Sequence, residues 1–231
     1  MKKISFINIK SIIQLVAIML LVFVGGRLLH DIVVTQQYNA GEEITTFALS
    51  SLMTLMVMVI MVIVNGPITY ENRFNMVIAM GQTRKSFFIE SSIQVVIYTI
   101  VGELFAIVLM RLDDWLNATR FPYIECEITM GTYIAPKYML ASFLLMLVAF
   151  YLIASLICWF GRAGYVVVWV IYMLIVVAPA SNRALLHGGA NNVLVKVIKV
   201  CMTYYKPILL TALVLAAFLC YQATRKKAVR T

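Results

Sequence analysis

The chain reads as an all-α polytopic membrane protein with six membrane-spanning helices. Three observations predict this. The sequence of 231 residues is 63% hydrophobic and only 13% charged, whereas a soluble domain averages about 45–50% apolar and about 25% charged. Its apolar residues gather in long runs, several without the polar face that a soluble helix carries at 3.6-residue spacing. At about 20 residues per span, 231 residues give room for about six spans, with little left for any soluble domain.

The predicted spans are about Ile12–Leu28, Thr45–Val64, Phe87–Met110, Tyr138–Phe160, Ala163–Ala180 and Tyr204–Tyr221. The first is too long for the ~7–15-residue apolar core of a cleaved signal, and no small-x-small site follows it. The fifth and sixth are short and are expected to rest on interfacial anchors such as Tyr165, Trp169, Tyr204 and Tyr205.

Orientation follows from the lysines and arginines between the runs. With the N-terminus inside, the inner segments hold Lys2, Lys3, Lys10, Arg73, Arg84, Lys85, Arg162, Arg225, Lys226, Lys227 and Arg230, opposed only by Glu71 and Glu90. The outer segments hold Arg27, Arg111, Arg120, Lys137, Arg183, Lys196, Lys199 and Lys206, nearly balanced by Asp31, Glu42, Glu43, Asp113, Asp114, Glu125 and Glu127. Both termini are therefore expected in the cytoplasm, and an even number of spans, which puts them on one side, agrees with this. The overall charge of +9 is spread over loop ends rather than gathered on one face, which argues against nucleic acid.

Three segments outside the spans are more than turns. The N-terminal MKKISFINIKS alternates basic and apolar residues and reads either as an interfacial helix or as a topogenic flank. Arg111–Lys137 is expected to be an outer acidic loop with Pro122 and Gly131 as breakers. In Ser181–Lys206, a His187-Gly188-Gly189 turn precedes Leu194, Val197, Ile198, Cys201 and Tyr205 at helical spacing, which predicts an amphipathic helix dipping into the outer leaflet before the last span. Cys158 and Cys220 lie in apolar runs and read as small hydrophobes. Cys126 and Cys201 both fall outside, where a disulfide is one open arrangement that sequence does not fix.

Tyr70–Phe88, reading YENRFNMVIAMGQTRKSFF, is the informative inner segment. Asn65-Gly66-Pro67 is expected to end the second span, because proline cannot continue the ladder. Tyr70, Phe74, Val77, Ile78 and Gly81 then recur at i, i+4, i+7, i+8 and i+11, one face of a helix, with Glu71, Arg73, Asn75 and Gln82 beside it. Gly81 is a natural helix stop and Thr83 a natural N-cap for the next helix. Arg84 and Lys85 follow at the expected headgroup level. On physical grounds alone the segment is either a surface-lying linker or a helix built for a partner.

The run F-N-x-x-x-A-M-G-x-T-R-K-x-F-F at Phe74–Phe88 resembles the inner loop of ABC-2-type transporter permeases of Gram-positive bacteria. The third span of those permeases opens on a Leu/Met-Gly-x-[ST]-Arg-[KR]-x-[FY]-[FL] pattern. Six spans, an amphipathic N-terminus and an outer re-entrant hairpin before the last span are also that family's plan. The resemblance covers the whole chain in architecture but only Phe74–Phe88 in motif. It implies an ABC exporter fold in the bacterial cell membrane, and a coupling helix at Tyr70–Met80 that docks on a separate cytoplasmic ATPase. Tyr70, Glu71, Arg73, Phe74, Asn75, Met80 and Gly81 would serve that coupling, with Glu71, Arg73 and Asn75 on the docking face. Arg84 and Lys85 would anchor the third span, and Lys2–Lys10 would form a second cytoplasmic contact. It further implies a second permease copy as a homodimer partner, two ATPase chains carrying the ATP and magnesium, and an amphipathic or hydrophobic peptide as cargo. A drug or lipid exporter is the nearest substitute.

Single residues add candidates. Glu103 falls within the third span, where a charge costs roughly 2.5–3.5 kcal/mol, so it either lines a path or is a hydrogen-bonded structural acid. Met53, Met56, Met58 and Met61 form a second-span cluster, read either as packing or as an adaptable substrate wall with Met53 and Met56 as its candidates. Glu90 is expected to pair with Arg162 or Lys10 or to snorkel, and Arg27 to snorkel at the outer end of its span. Asn117-Ala118-Thr119 matches a glycosylation acceptor without meaning in a bacterium.

No catalytic set is evident. No glycine is followed by lysine, so there is no Walker A loop; no H-E-x-x-H zinc motif is present. Glu42-Glu43 resembles the E-E-x-x-x-R of intramembrane CAAX-type proteases, but Phe47 stands at the arginine position and only His30 and His187, both expected in loops, are available. The chain is expected to be no enzyme and to hold no cofactor or metal of its own. A non-transporting membrane sensor or immunity protein is the alternative from another class.

Overall fold

The computed structural model describes residues 9–40, 48–120, 136–161, 163–167, 170 and 205–227. Among these the regular structure is entirely helical: α1 (Ile9–Ala40), α2 (Leu49–Ile60), a π-helical turn (Met61–Asn65), α3 (Gly66–Ala79), α4 (Arg84–Arg120), α5 (Pro136–Phe160) and α6 (Tyr205–Lys226). Among the described residues, five helices are long and apolar enough to cross a membrane: Ile9–Asn39, Leu49–Ala79, Arg84–Arg120, Met139–Phe160 and Tyr205–Lys226. Large apolar side chains stand open on them, among them Leu21 (73% exposed), Val214 (68%) and Leu215 (63%). Water would penalise such surfaces and lipid does not.

The expected fifth span, the outer helix at Ser181–Lys206, the N-terminal Lys2–Lys10 segment, Glu42-Glu43, His187, Cys126 and Cys201 lie wholly or mainly outside the described residues. Residues 163–167 are helical.

Four boundaries differ from those expected. The helix of the first span runs on to Ala40 rather than ending near Leu28. No breaker follows Leu28, and the charges Arg27 and Asp31 pair one turn apart. The third helix continues to Arg120, well into the expected outer loop. Residues 111–120 contain neither glycine nor proline, so nothing stops the ladder before Pro122. Pro67 does not end the second helix, because helical structure passes from Leu49 through Ala79. In α register the Pro67 ring would meet the Ile63 carbonyl. The π turn immediately before it widens the helix and shifts the bonding register, which accommodates the missing donor. The last helix likewise extends to Lys226, past Tyr221.

The chain divides into two compact units, residues 1–65 with 92–146, and residues 66–91 with 147–231. The first has its core in Leu15, Met19 and Phe23 of α1, Met58 and Val62, Ala106, Leu109 and Met110 of α4, and Met146 of α5. Small residues bring its helices together, as lipid-solvated packing requires. A Cβ on Gly26 would stand 2.9 Å from the Cα of Ser50, and one on Gly102 would stand 3.2 Å from Met58 Cγ. The second unit has its core in Tyr70, Phe74, Phe87, Phe150 and Ala223, all nearly or fully buried.

Gly26 and Gly25 give a direct test of the close approach of α1 and α2. Nothing lies within 4 Å of a Cβ on Gly25. Gly26→Val is expected to cost about 1–3 kcal/mol through overpacking, and Gly25→Val less than about 0.5 kcal/mol. Thermal unfolding of the two variants in one detergent measures the difference.

Candidate functional site

The inner segment forms a helical corner in the second unit. α3 buries Pro67, Tyr70, Phe74 and Val77; of the face expected from spacing, Ile78 is half-buried and Gly81 exposed. It stops at Gly81, whose φ of +88° only glycine adopts without penalty. Gln82 N donates to Val77 O at 3.2 Å and Gly81 N to Ile78 O at 3.0 Å, the paired bonds of a Schellman stop. α4 then restarts: Thr83 Oγ1 accepts from Ser86 N at 3.2 Å and Thr83 O from Phe87 N at 3.0 Å.

An aromatic cluster fixes this corner. Phe87 meets Tyr70 edge-on at 5.0 Å and Phe74 at 5.4 Å, and Phe150 meets Tyr70 at 6.1 Å. Phe88 lies 5.3 Å from Tyr221 and 6.2 Å from Tyr151. Such pairs add about 0.5–1.5 kcal/mol each beyond burial. The two phenylalanines of the sequence pattern are thus packing residues of the corner.

The end of α6 is fastened to it. Tyr70 Oη lies 2.7 Å from Thr224 Oγ1. Thr224 gives its only hydroxyl hydrogen to the Cys220 carbonyl at 2.7 Å, so Tyr70 is the donor. Lys227 Nζ pairs with Glu71 Oε1 at 3.0 Å and sits 5.4 Å from the Phe74 ring centroid. Tyr165 donates to Glu71 Oε2 at 3.2 Å. Arg84 donates to the Arg225 carbonyl at the C-terminus of α6, where a cation meets both unpaired carbonyls and the helix dipole.

The expected coupling residues therefore separate. Glu71 is turned inward onto Lys227 and Tyr165 rather than left open for docking, because an acid on an apolar, half-buried helix face needs a cation. Arg73 and Asn75 are half-buried. The open face of α3 carries Asn72, Met76 (57% exposed), Ala79 and Met80 (62%). Arg84 engages α6 and Lys85 is exposed. Glu90 is half-buried and accepts from Gln82 at 2.6 Å, two turns back, and from Ser86 at 3.1 Å, one turn back; Arg162, one of its expected partners, lies outside the described residues.

The first unit holds a polar site of its own. Asp113, fully buried, accepts from Arg27 Nη1 at 3.1 Å and from Ser51 Oγ at 2.6 Å. It thereby ties α4 to α1 and α2. Arg27 Nε lies 3.0 Å from Asp31 Oδ1, Arg27 also donates to Asn117, and Arg120 pairs with Asp31. His30, in α1 rather than a loop, is buried with Nδ1 3.7 Å from Asp31 Oδ1. Arg27 is 8% exposed, so it does not snorkel. The reason is energetic: paired with two carboxylates it loses little by leaving water, and Asp113 could not stay buried without it.

The remaining candidates are split. Glu103 is half-buried and accepts from Ser142 Oγ at 2.7 Å. Met58 belongs to the core of the first unit and Met61 packs against it. Met53 is half-buried, and Met56 is 56% exposed on an outward face. The methionines are not one wall.

Spacing missed Lys227 and Asp113. Each had a signal: Glu71 is an acid in a basic inner set, and Arg27 and Asp31 stand at i, i+4. No protein-family model, curated protein or solved structure matches this chain.

Asp113→Ala is expected to destabilise the protein by about 3–5 kcal/mol, because it leaves Arg27 buried against a lost partner. Ser51→Ala removes one hydrogen bond and is expected to cost about 1–3 kcal/mol. Thermal unfolding in detergent ranks them, and Asp113→Ala is expected to melt clearly below Ser51→Ala.

Proposed function

We propose that this chain is the membrane-spanning permease subunit of an ATP-driven exporter of the ABC-2 type, carrying amphipathic or hydrophobic peptides out of a bacterial cell. The observation that carries the reading is the corner at residues 66–91. The helical continuation of the second span, α3, commits one face to packing and stops on Gly81, the chain restarts on Thr83, and Asn72, Met76 and Met80 are left open. A plain turn needs only a few residues. The fixed corner with an open methionine-bearing edge suits a groove on a soluble partner, since methionine adapts to the surface it meets.

The sequence has no phosphate-binding loop, so the motor is a separate cytoplasmic ATPase. In this reading two copies of the chain form the pathway, with both termini cytoplasmic and six spans each. Two ATPase chains close on ATP and push the α3 corners. ATP and magnesium stay on those chains.

Met76→Asp with Met80→Asp tests the docking edge. Both side chains are exposed, so folding is expected to change by less than about 0.5 kcal/mol per site. Co-purification with the cognate ATPase from detergent-solubilised membranes is expected to fall at least about tenfold, the effect of losing two hot-spot anchors. Unchanged ATPase recovery would refute the docking edge. Purification with no ATPase at all, together with unchanged peptide efflux on deletion, would support a membrane sensor instead.

A further inference from the structure

The last helix ends on the corner that the proposed motor would push. Thr224 receives the Tyr70 hydroxyl, Lys227 is paired with Glu71 at 3.0 Å and lies over Phe74, and Arg84 holds the Arg225 carbonyl. Lys227 is 9% exposed, although a lysine just past the end of a helix ordinarily extends into water. Burying that ammonium is favourable only against the Glu71 carboxylate and the Phe74 face. Tyr165 Oη fills the second oxygen of Glu71. One carboxylate on α3 is therefore held at once by the end of α6 and by the helical segment 163–167.

We propose that the Glu71–Lys227 pair is a transmission link: motion of α3 is passed through it to the end of α6, and Lys227 is a positioning residue for transport rather than a charge that only sets topology. This rests on the permease reading above. Apolar contacts alone let helices slide along one another. An ion pair with a cation–π contact and a capped carbonyl at the same turn fixes register as well as distance. Cutting the pair leaves the open edge of α3 free to hold the motor. It removes the tie between that edge and the last helix, so hydrolysis continues while transport falls.

The experiment uses the permease with its ATPase in phosphatidylglycerol-containing proteoliposomes, with a fluorescently labelled amphipathic helical peptide as probe. Three quantities are read: ATPase retained, ATP hydrolysed, and peptide moved per ATP. Lys227→Glu is expected to retain the ATPase while peptide moved per ATP falls about fivefold or more, the lower range of a site-to-site coupling. The exchanged pair, Glu71→Lys with Lys227→Glu, is expected to recover most of the ratio. Lys227→Met and Lys227→Arg decide the matter if the reversed chains do not fold, Met giving the low ratio and Arg a ratio near the original. A Lys227→Met protein with the original ratio, or a folded exchanged pair with no recovery, overturns the link. A native chain that holds no ATPase overturns the permease reading and the link with it, and is told apart by the first quantity alone.

Discussion

A chain this apolar keeps a charge inside only when the charge has a partner. That constraint organises both units. In the first, Asp113 is fully buried because Arg27 and Ser51 hold its two oxygens. In the second, Lys227 is buried because Glu71 and the Phe74 ring receive it. Each pair joins residues far apart in sequence, 86 positions in one case and 156 in the other. Packing among leucines and methionines is tolerant of sliding. The pairs are not, because a displaced partner leaves a desolvated charge that costs several kcal/mol.

Small residues and aromatic rings complete what the pairs begin. Gly26 lets α1 approach the backbone of α2 in the unit where Arg27 and Ser51 must reach one carboxylate. The Tyr70, Phe87 and Phe150 rings hold the inner corner in the unit where Glu71 meets Lys227. Local geometry agrees with this packing. The left-handed Gly81 and the Thr83 cap turn the chain so that Phe74 and Phe87 come within 5.4 Å.

The helical character, the apolar face of α3 and both signals at Gly81 and Thr83 were legible in the sequence, because each depends on residues within a turn or two. The reach of the helices was less so. Pro67 reads as a stop, yet a π turn carries the helix past it, and that turn depends on the widened bonding of Met61–Asn65 rather than on any residue type. Arg111–Arg120 reads as a loop because it is charged, yet Asp113 is neutralised by a residue on another helix. For the same reason Arg27 reads as a snorkelling residue and Lys227 as a topogenic charge. Pairing across a fold leaves little trace in a local pattern, and it was there that the candidate site was under-read.

In the proposed permease, the open edge of α3 is where a separate ATPase engages this chain. A photocrosslinking amino acid placed at Met76, activated in intact membranes, tests it most directly. The expected crosslinked product is one in which mass spectrometry finds a soluble protein with a Gly-Lys-Ser or Gly-Lys-Thr phosphate loop. Products containing only lipid, or only a second copy of this chain, would contradict it.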